Sequence, residues 1–452
     1  MNDFADWFSP IIVKELRQGM RSRAFLLIFL AIQFFMIVCV IGSLGDGSHE
    51  AAAGFFWTFI GAAILFAMPL RGLAALNGEM KGNTLELMLL TQLSAWRITA
   101  GKWLALVLQT LLLVCAVLPY VVLRYFLGGV NLVDDLVLLG LLLIGSALAT
   151  ALAIGFSGFM QSLVGRIGIG VLFFAGFYLV PLLLFNISRR GGTSPSVSSW
   201  LAAAAVLGPL LVLELFELGV GKIAPSAENH CTRKRLIAAS LLAASILLGR
   251  ALHEPAFLLI LGGIAAAPIC LGALVEETPF VPSLYLPFLR RGLPGRAFGR
   301  LFYPGWASGL WFVLLAIAAT LWAAPFSWTD TSTAFRVAAL LETLFVPLAI
   351  VRLCFRRAAN LFPFYLGLQL MLFVTAVTLS ANFNLHDPHL IWAGCVPTLG
   401  LFLHLWDYSA LDQMALWAAL LALLGFFALF LLSLKEWKTI AAMEREAAKL
   451  NL

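Results

Sequence analysis

Apolar residues in this chain come in long, nearly unbroken runs rather than in the one-sided stripe of a helix on a soluble protein. The runs cover residues 24–44, 52–77, 103–123, 136–160, 167–187, 200–221, 236–249, 255–275, 309–325, 335–351, 361–381, 390–406 and 413–434. Most approach the roughly 20 residues that a helix needs to cross the hydrocarbon core of a bilayer. A helix bonds its own backbone, so it is stable where no water is available. The pattern predicts an all-α polytopic membrane protein with short polar connections.

Composition agrees. Hydrophobic residues make up 62% of the 452 residues and charged residues 12%, whereas soluble domains average about 45–50% apolar and about 25% charged. A soluble globule this apolar could not cover its own surface. Disorder, a secreted disulfide module and nearly every soluble enzyme are excluded. The six cysteines, at 39, 115, 231, 270, 354 and 395, are scattered without a C-x-x-C pair and read as small buried apolar residues. The net charge of +6 needs no nucleic acid, because anionic lipid at the inner leaflet is a sufficient partner.

Charge sets the expected orientation. With the N-terminus cytosolic and run 390–406 dipping into the membrane without crossing, only Arg124, Arg189, Arg190, Arg250 and Arg336 of the 29 basic residues fall outside. The other 24 face the cytosol, as the positive-inside rule requires. A full crossing by 390–406 would carry the basic tail outward. The expectation is therefore about twelve transmembrane helices in the inner (cytoplasmic) membrane, with both termini cytosolic.

The chain does not open like a signal peptide. Phe4, Trp7, Phe8, Ile11, Ile12 and Leu16 share a helical face, while Lys14, Arg17 and Arg21 lie on others. Ser9-Pro10 is a cap followed by a first-turn proline. Residues 1–23 are predicted to form a cytosolic amphipathic helix at the interface. Residues 24–221 then form a six-span unit, 222–235 a cytosolic linker, 236–434 a second six-span unit with a cytosolic segment at 276–308, and 435–452 a charged tail. Long segments between the second and third spans of each half, 78–102 and 276–308, suggest two tandem units; six appended spans without symmetry are the alternative. Segment 276–308 sets Arg290, Arg291, Arg296 and Arg300 among apolar residues, as an interfacial basic segment does.

Residues 78–103 read GEMKGNTLELMLLTQLSAWRITAGKW. Gly82, Asn83 and Thr84 break one helix and cap another. Leu85, Met88 and Leu89 share a face, Thr91-Gln92 interrupts it, and Ser94 can cap a second short helix through Trp96 and Ile98. Gly101-Lys102 leads into the third span. The picture is a small cytosolic helical hairpin rooted in two spans. An amphipathic loop of this length is by itself an ordinary loop, but its residues carry a pattern. Glu79, Thr84-Leu85-Glu86-Leu87, Leu89-Leu90-Thr91, Leu93-Ser94 and Gly101-Lys102 resemble the coupling hairpin of ATP-binding-cassette permeases of the type-2 exporter class. The opening Pro10-Ile11-Ile12-Val13-Lys14-Glu15-Leu16-Arg17 is similar to the interfacial helix of that class. The resemblance covers roughly residues 9–235 and departs from the family at Gln92, where a proline is usual.

The resemblance implies that the hairpin sits in a groove of a nucleotide-binding subunit. Glu79, Glu86 and Lys102 would make polar contacts, with Thr84, Leu85, Leu89, Thr91, Ser94 and Trp96 completing the coupling surface. It implies two copies of an ATP-binding subunit, and leaves open a second permease chain. No phosphate-binding loop occurs here: Gly219-Val220-Gly221-Lys222 and Gly101-Lys102 lack the upstream glycine and the following Ser or Thr. No catalytic site is expected in the chain, and ATP and magnesium would belong to the partner.

Ionisable groups at membrane depth are functional candidates. Glu214 and Glu217 share a face of the sixth span, and Glu342 lies near the middle of the tenth. Glu214 and Glu342 either line a polar path or pair structurally with another span. Arg71 should snorkel to the inner interface. His386 and His389 flank Asp387-Pro388 in a loop and make a weak metal motif; no metal site is expected. The leading expectation is the permease subunit of an ATP-driven exporter of unspecified substrate. The alternatives are an ion- or proton-coupled secondary transporter, an intramembrane enzyme acting on lipid-linked substrates, and a structural scaffold.

Overall fold

The computed structural model describes residues 10–43, 49–81, 94–127, 131–158, 166, 170, 197–225, 228–324, 331–355, 361–382 and 411–449. Among these there are helices and their connections and no strand. Nine helices among the described residues are long and apolar enough to cross a membrane. Their faces carry exposed Leu26, Leu27, Leu30, Phe34, Ile37 and Ile41 on one helix alone, an apolar surface of the kind that lipid covers. The chain is a membrane-embedded helical protein. Of the twelve predicted spans, 167–187 is described at residue 170 alone, 236–249 falls in a helix with cations at both ends, and 361–381 contributes the shorter apolar helix Phe362–Ala376. The dipping run 390–406 and the histidines at 386 and 389 also lie outside the described residues.

The chain divides into two compact units. The first contains α1 (Pro10–Met20), α2 (Arg23–Ser43), α3 (His49–Ala62), a π-helical turn (Ala63–Ala67), α4 (Met68–Lys81), α5 (Ala95–Leu127), α6 (Leu132–Ser157) and the final residues 211–223 of α7 (Val197–Ile223). The π turn has a local cause. Pro69 has no N–H to give to Leu65 and its ring crowds that carbonyl, so the backbone widens across residues 63–67 before the helix resumes. Close approach between helices depends on glycine. A side chain on Gly72 would press on Ala153 and Ile154 of α6, and one on Gly155 would strike the Leu215 carbonyl of α7. Gly155 meets Leu215 and Gly158 meets Lys222, so α6 and α7 run parallel here.

The third predicted span is longer than its apolar run. Ser94 caps α5 itself: its Oγ accepts from Arg97 N at 3.3 Å, and its carbonyl accepts from Ile98 N at 3.2 Å. The helix then continues unbroken to Leu127, so the predicted second hairpin helix and the third span are one 33-residue helix. At the opposite end of this unit, Arg124 approaches Asp135 at 3.6 Å and lies 4.2 Å from the centre of the Phe56 ring.

The second unit contains residues 162–210 and 225–452. Its helices are α8 (His230–Ala251), α9 (Pro255–Val275), a 3₁₀ turn (Pro282–Leu284), α10 (Leu286–Leu289), α11 (Gly292–Phe302), α12 (Trp306–Ala323), α13 (Thr331–Cys354), α14 (Phe362–Asn382) and α15 (Leu411–Lys449). The polar stretch 222–235 is mostly helical: α7 runs to Ile223, and Asn229 caps α8 by accepting from Thr232 N at 3.1 Å. Helices α8 and α9 form an antiparallel pair about His253, and Ser245 occupies the space a side chain on Gly262 would need. Helix α12 packs on α9 where Gly309 meets the Ala273 carbonyl, and α15 packs on α13 where Gly425 meets the backbone of Phe345 and Val346. Such small-residue contacts are how helices associate where lipid removes the hydrophobic drive. Helix α15 has 39 residues and at about 1.5 Å per residue exceeds a hydrocarbon core of about 30 Å. The charged tail is thus helical through Lys449. Of the described cysteines, Cys39 is buried, Cys231 and Cys270 are partly buried, and Cys115 and Cys354 are exposed, so burial of all of them does not hold.

Candidate coupling site and buried polar clusters

Helices α4 and α5, which bracket residues 82–93 in sequence, share a packed base. Ile11 of α1, Leu76 of α4, Ala95, Ile98 and Leu106 of α5, Ile154 of α6 and Val220 and Ile223 of α7 form one buried cluster. Trp96 and Trp103 both meet the Phe216 ring edge-on, at 5.7 and 5.3 Å. Trp103 also donates from Nε1 to the Ala147 carbonyl at 2.9 Å. Of the predicted coupling residues, Ser94 therefore serves as the cap of α5 and Trp96 packs on α7 while remaining 38% exposed. Glu79 lies on the last turns of α4. Thr84, Leu85, Glu86, Leu89 and Thr91 lie outside the described residues.

Helix α1 is tied to that base at two points. Lys102 Nζ donates to Glu15 Oε1 at 2.9 Å, with Lys102 only 4% exposed. Lys102 thus faces α1 rather than the surface. The second tie is Arg71. Its Nη1 donates to Gln109 Oε1 at 2.6 Å, and its Nη2 donates to the Gly19 carbonyl and Ser22 Oγ, each at 3.1 Å. Ser22 Oγ in turn donates to Gly19 O at 2.7 Å, and the guanidinium stands 5.6 Å from the Phe25 ring centre. A fork of donors can hold several acceptors in one geometry, and a cation suits the carbonyl end of a helix. Arg71 is thus a clasp at the C-terminus of α1, a role that the sequence expectation of snorkelling did not include. Gly19 and Gly101 allow the approach: side chains there would meet Gln109 and Ile11.

Glu214 and Glu217 are buried in the first unit, and Glu342 is 1% exposed in the second. Thr343, beside Glu342, is held into a small polar set: Gln369 Nε2 donates to the Thr343 carbonyl at 2.7 Å and to the Tyr365 hydroxyl at 3.1 Å. No cluster of metal-ligating side chains occurs among the described residues.

The second unit holds a polar cluster that sequence reading missed. Arg235 is buried, at 1% exposure. It donates to the carbonyls of Leu301, Tyr303 and Gly305 at 3.1, 2.7 and 2.8 Å, to Ser308 Oγ at 2.8 Å, and to Glu276 Oε2 at 2.6 Å. Segment 276–308 is wrapped around this guanidinium. Tyr285 and Tyr303 meet at 4.8 Å, and Phe288 meets Tyr303 at 5.3 Å. Gly305 takes a φ of +117° against Thr278, a backbone region closed to other residues at low cost. Burial would raise the Glu276 carboxyl, but Arg235 and Lys234 hold it below its ordinary value. Burial pushes the Cys231 thiol up, and with it the Tyr285 phenol to about 12. The same end is closed by Arg352, which donates to Leu274 O at 2.8 Å and lies 3.8 Å from the Trp306 ring centre. Thr278 reaches Glu436 of α15 at 3.0 Å. A sequence signal existed: 235 and 276 lie at similar distances on either side of the α8–α9 turn, so folding that hairpin sets the cation near the acid.

No protein-family model, characterised protein or solved structure matches the chain.

Proposed function

We propose that this chain is the membrane-spanning subunit of an ATP-driven exporter of the type-2 ATP-binding-cassette class. It would work with two copies of a separate ATP-hydrolysing subunit, in the cytoplasmic membrane, with both termini in the cytosol. The observation that carries the reading is the mounting of residues 82–93. Helix α4 leads into them and the capped α5 leads out, and both helices share one buried base with the amphipathic α1. In sequence, the Thr84-Leu85-Glu86 pattern falls between these two helices. A push there would be delivered to α4 and α5 together, and through Arg71, Lys102 and Glu15 to α1. Nucleotide states of a partner then need only favour different arrangements of the helices. ATP and magnesium act on the partner, and this chain contributes the path and the coupling surface.

A second reading rests on a different observation. Glu342 is buried in a span with Oε1 unbonded, the placement expected of a group in an ion- or proton-coupled carrier. That reading predicts loss of transport in Glu342→Gln with no dependence on a partner.

The test is affinity purification of the full chain from its native membranes, with co-purifying proteins identified by mass and assayed for ATP hydrolysis. A stoichiometric ATPase that is lost on Glu86→Lys and on Thr84→Pro, with the chain still in the membrane, is the expected outcome. A partner-free chain, or an ATPase retained with normal transport in both variants, would overturn the proposal.

A further inference from the structure

Helix α11 has two unlike faces. Gly295, Gly299 and Phe302 are buried at positions i, i+4 and i+7, and side chains on the two glycines would strike the Phe288 carbonyl and the Tyr303 ring. On the other face Leu293, Arg296, Ala297 and Arg300 follow at i, i+3, i+4 and i+7, all exposed. Leu293 is 80% exposed and the neighbouring Phe298 50%. Bulky apolar side chains among cations on one helix face are the composition of a segment lying in a membrane interface.

Beside this face is a groove of about 350 Å³ lined by Ala297, Arg300 and Leu301 of α11, Trp311 of α12 and Trp437 of α15. Its level in the bilayer follows from the helices. Trp311 lies in the second turn of a span, and Trp437 lies three residues past the end of the apolar run 413–434. Tryptophan is enriched at the headgroup level for its apolar body and polar edge. Exposed Lys435 and Lys438 flank Trp437. The groove thus offers aromatic and aliphatic walls with a cation at the mouth, at the depth where lipid phosphate lies. A free phosphate ion would leave those walls unused, whereas an acyl chain fills them.

We infer that the groove between α11, α12 and α15 holds one anionic phospholipid, its phosphate between Arg296 and Arg300 and its acyl chain against Leu301, Trp311 and Trp437. The site belongs to the second unit alone and does not depend on the exporter reading.

The test is native mass spectrometry of the full chain in detergent, titrated with phosphatidylglycerol or phosphatidylcholine of matched chains. Each cation near an anionic lipid surface is worth roughly fivefold in partitioning. Phosphatidylglycerol should therefore bind about 25-fold more tightly than phosphatidylcholine, at one equivalent per chain. Arg296→Gln/Arg300→Gln should abolish that preference, while Arg445→Gln, eight residues beyond Trp437 on α15, should keep it. Should the double variant fail to fold, the same preference in the unaltered chain should collapse as salt is raised. Equal binding of the two lipids, a preference that survives the double variant or high salt, or displacement of phosphatidylglycerol by millimolar inorganic phosphate would overturn the inference.

Discussion

Replacing Arg235 by methionine should be among the most damaging single changes in the second unit. Methionine fills similar length but donates nothing. Five hydrogen bonds of 2.6–3.1 Å would be lost; the Tyr303 and Gly305 carbonyls would still accept from Ser308 Oγ and Glu276 from Gly305 N, but the Leu301 carbonyl would lose the guanidinium and the carboxylate its cation. Each stranded buried polar group costs about 1–3 kcal/mol, but a simple sum overstates the loss because segment 276–308 can relax and admit water. Removal of one partner of a buried ion pair costs about 3–5 kcal/mol, and about 4 kcal/mol is the expected loss. A second substitution separates the ion pair from the carbonyl cage. Arg235→Met/Glu276→Leu no longer strands a carboxylate, so it should recover at least about 1 kcal/mol relative to the sum of the single variants. The assay is denaturant unfolding of the purified chain in detergent, followed by tryptophan fluorescence, since Trp306, Trp311 and Trp437 all lie near this end. A loss under about 1 kcal/mol for Arg235→Met, or strict additivity in the double variant, would refute the view that this guanidinium organises the segment.

The same pair gives a pH prediction with a definite sign. Glu276 is held below the ordinary carboxyl value of 4.5, so its contribution to stability is complete above that value and is lost as pH falls through the folded-state value; Glu276→Gln should flatten the acid limb of a stability–pH profile. Lys102→Glu places two carboxylates at the α1–α5 contact and should loosen α1, read as increased protease cleavage near residue 20, whereas Glu15→Lys/Lys102→Glu should restore most of the protection. Gly309→Leu sets a side chain on the Ala273 carbonyl and should lower the unfolding free energy by about 1–3 kcal/mol, the usual cost of overpacking; Gly263→Leu on α9, with open space around it, is the matched control.

Hydropathy located most of the long apolar helices and misjudged the ends of several, for one physical reason. A run of apolar residues records which part of a helix faces lipid or core, and helices do not stop where lipid does. The run 255–275 coincides with α9 because Pro255 starts that helix at the membrane edge and Val275 is followed at once by two glutamates. The run 103–123 fell short of α5 because Ser94 caps the helix two turns earlier, over polar residues that hydropathy excludes. The run 413–434 fell short of α15 for the converse reason, since Lys435 to Lys449 continue a helix that has left the apolar zone.

The polar groups that organise each unit were harder to read. Arg71 was visible as a cation at the end of a span, but its acceptors come from Gly19, Ser22 and Gln109, and one of those, a backbone carbonyl, leaves no mark in sequence. Arg235 was hidden more completely. Three of its five acceptors are carbonyls of residues 301, 303 and 305, a set that exists only because Gly305 adopts a positive φ and turns the chain around the guanidinium. The acidic residues that sequence singled out, Glu214 and Glu342, are both buried. What distinguishes the two clasps is their position: Arg71 of α4 ties the end of α1 to α5, and Arg235 ties segment 276–308 to the start of α8. Each arginine thus fixes a segment beside the long apolar helices to those helices, through acceptors supplied largely by the backbone.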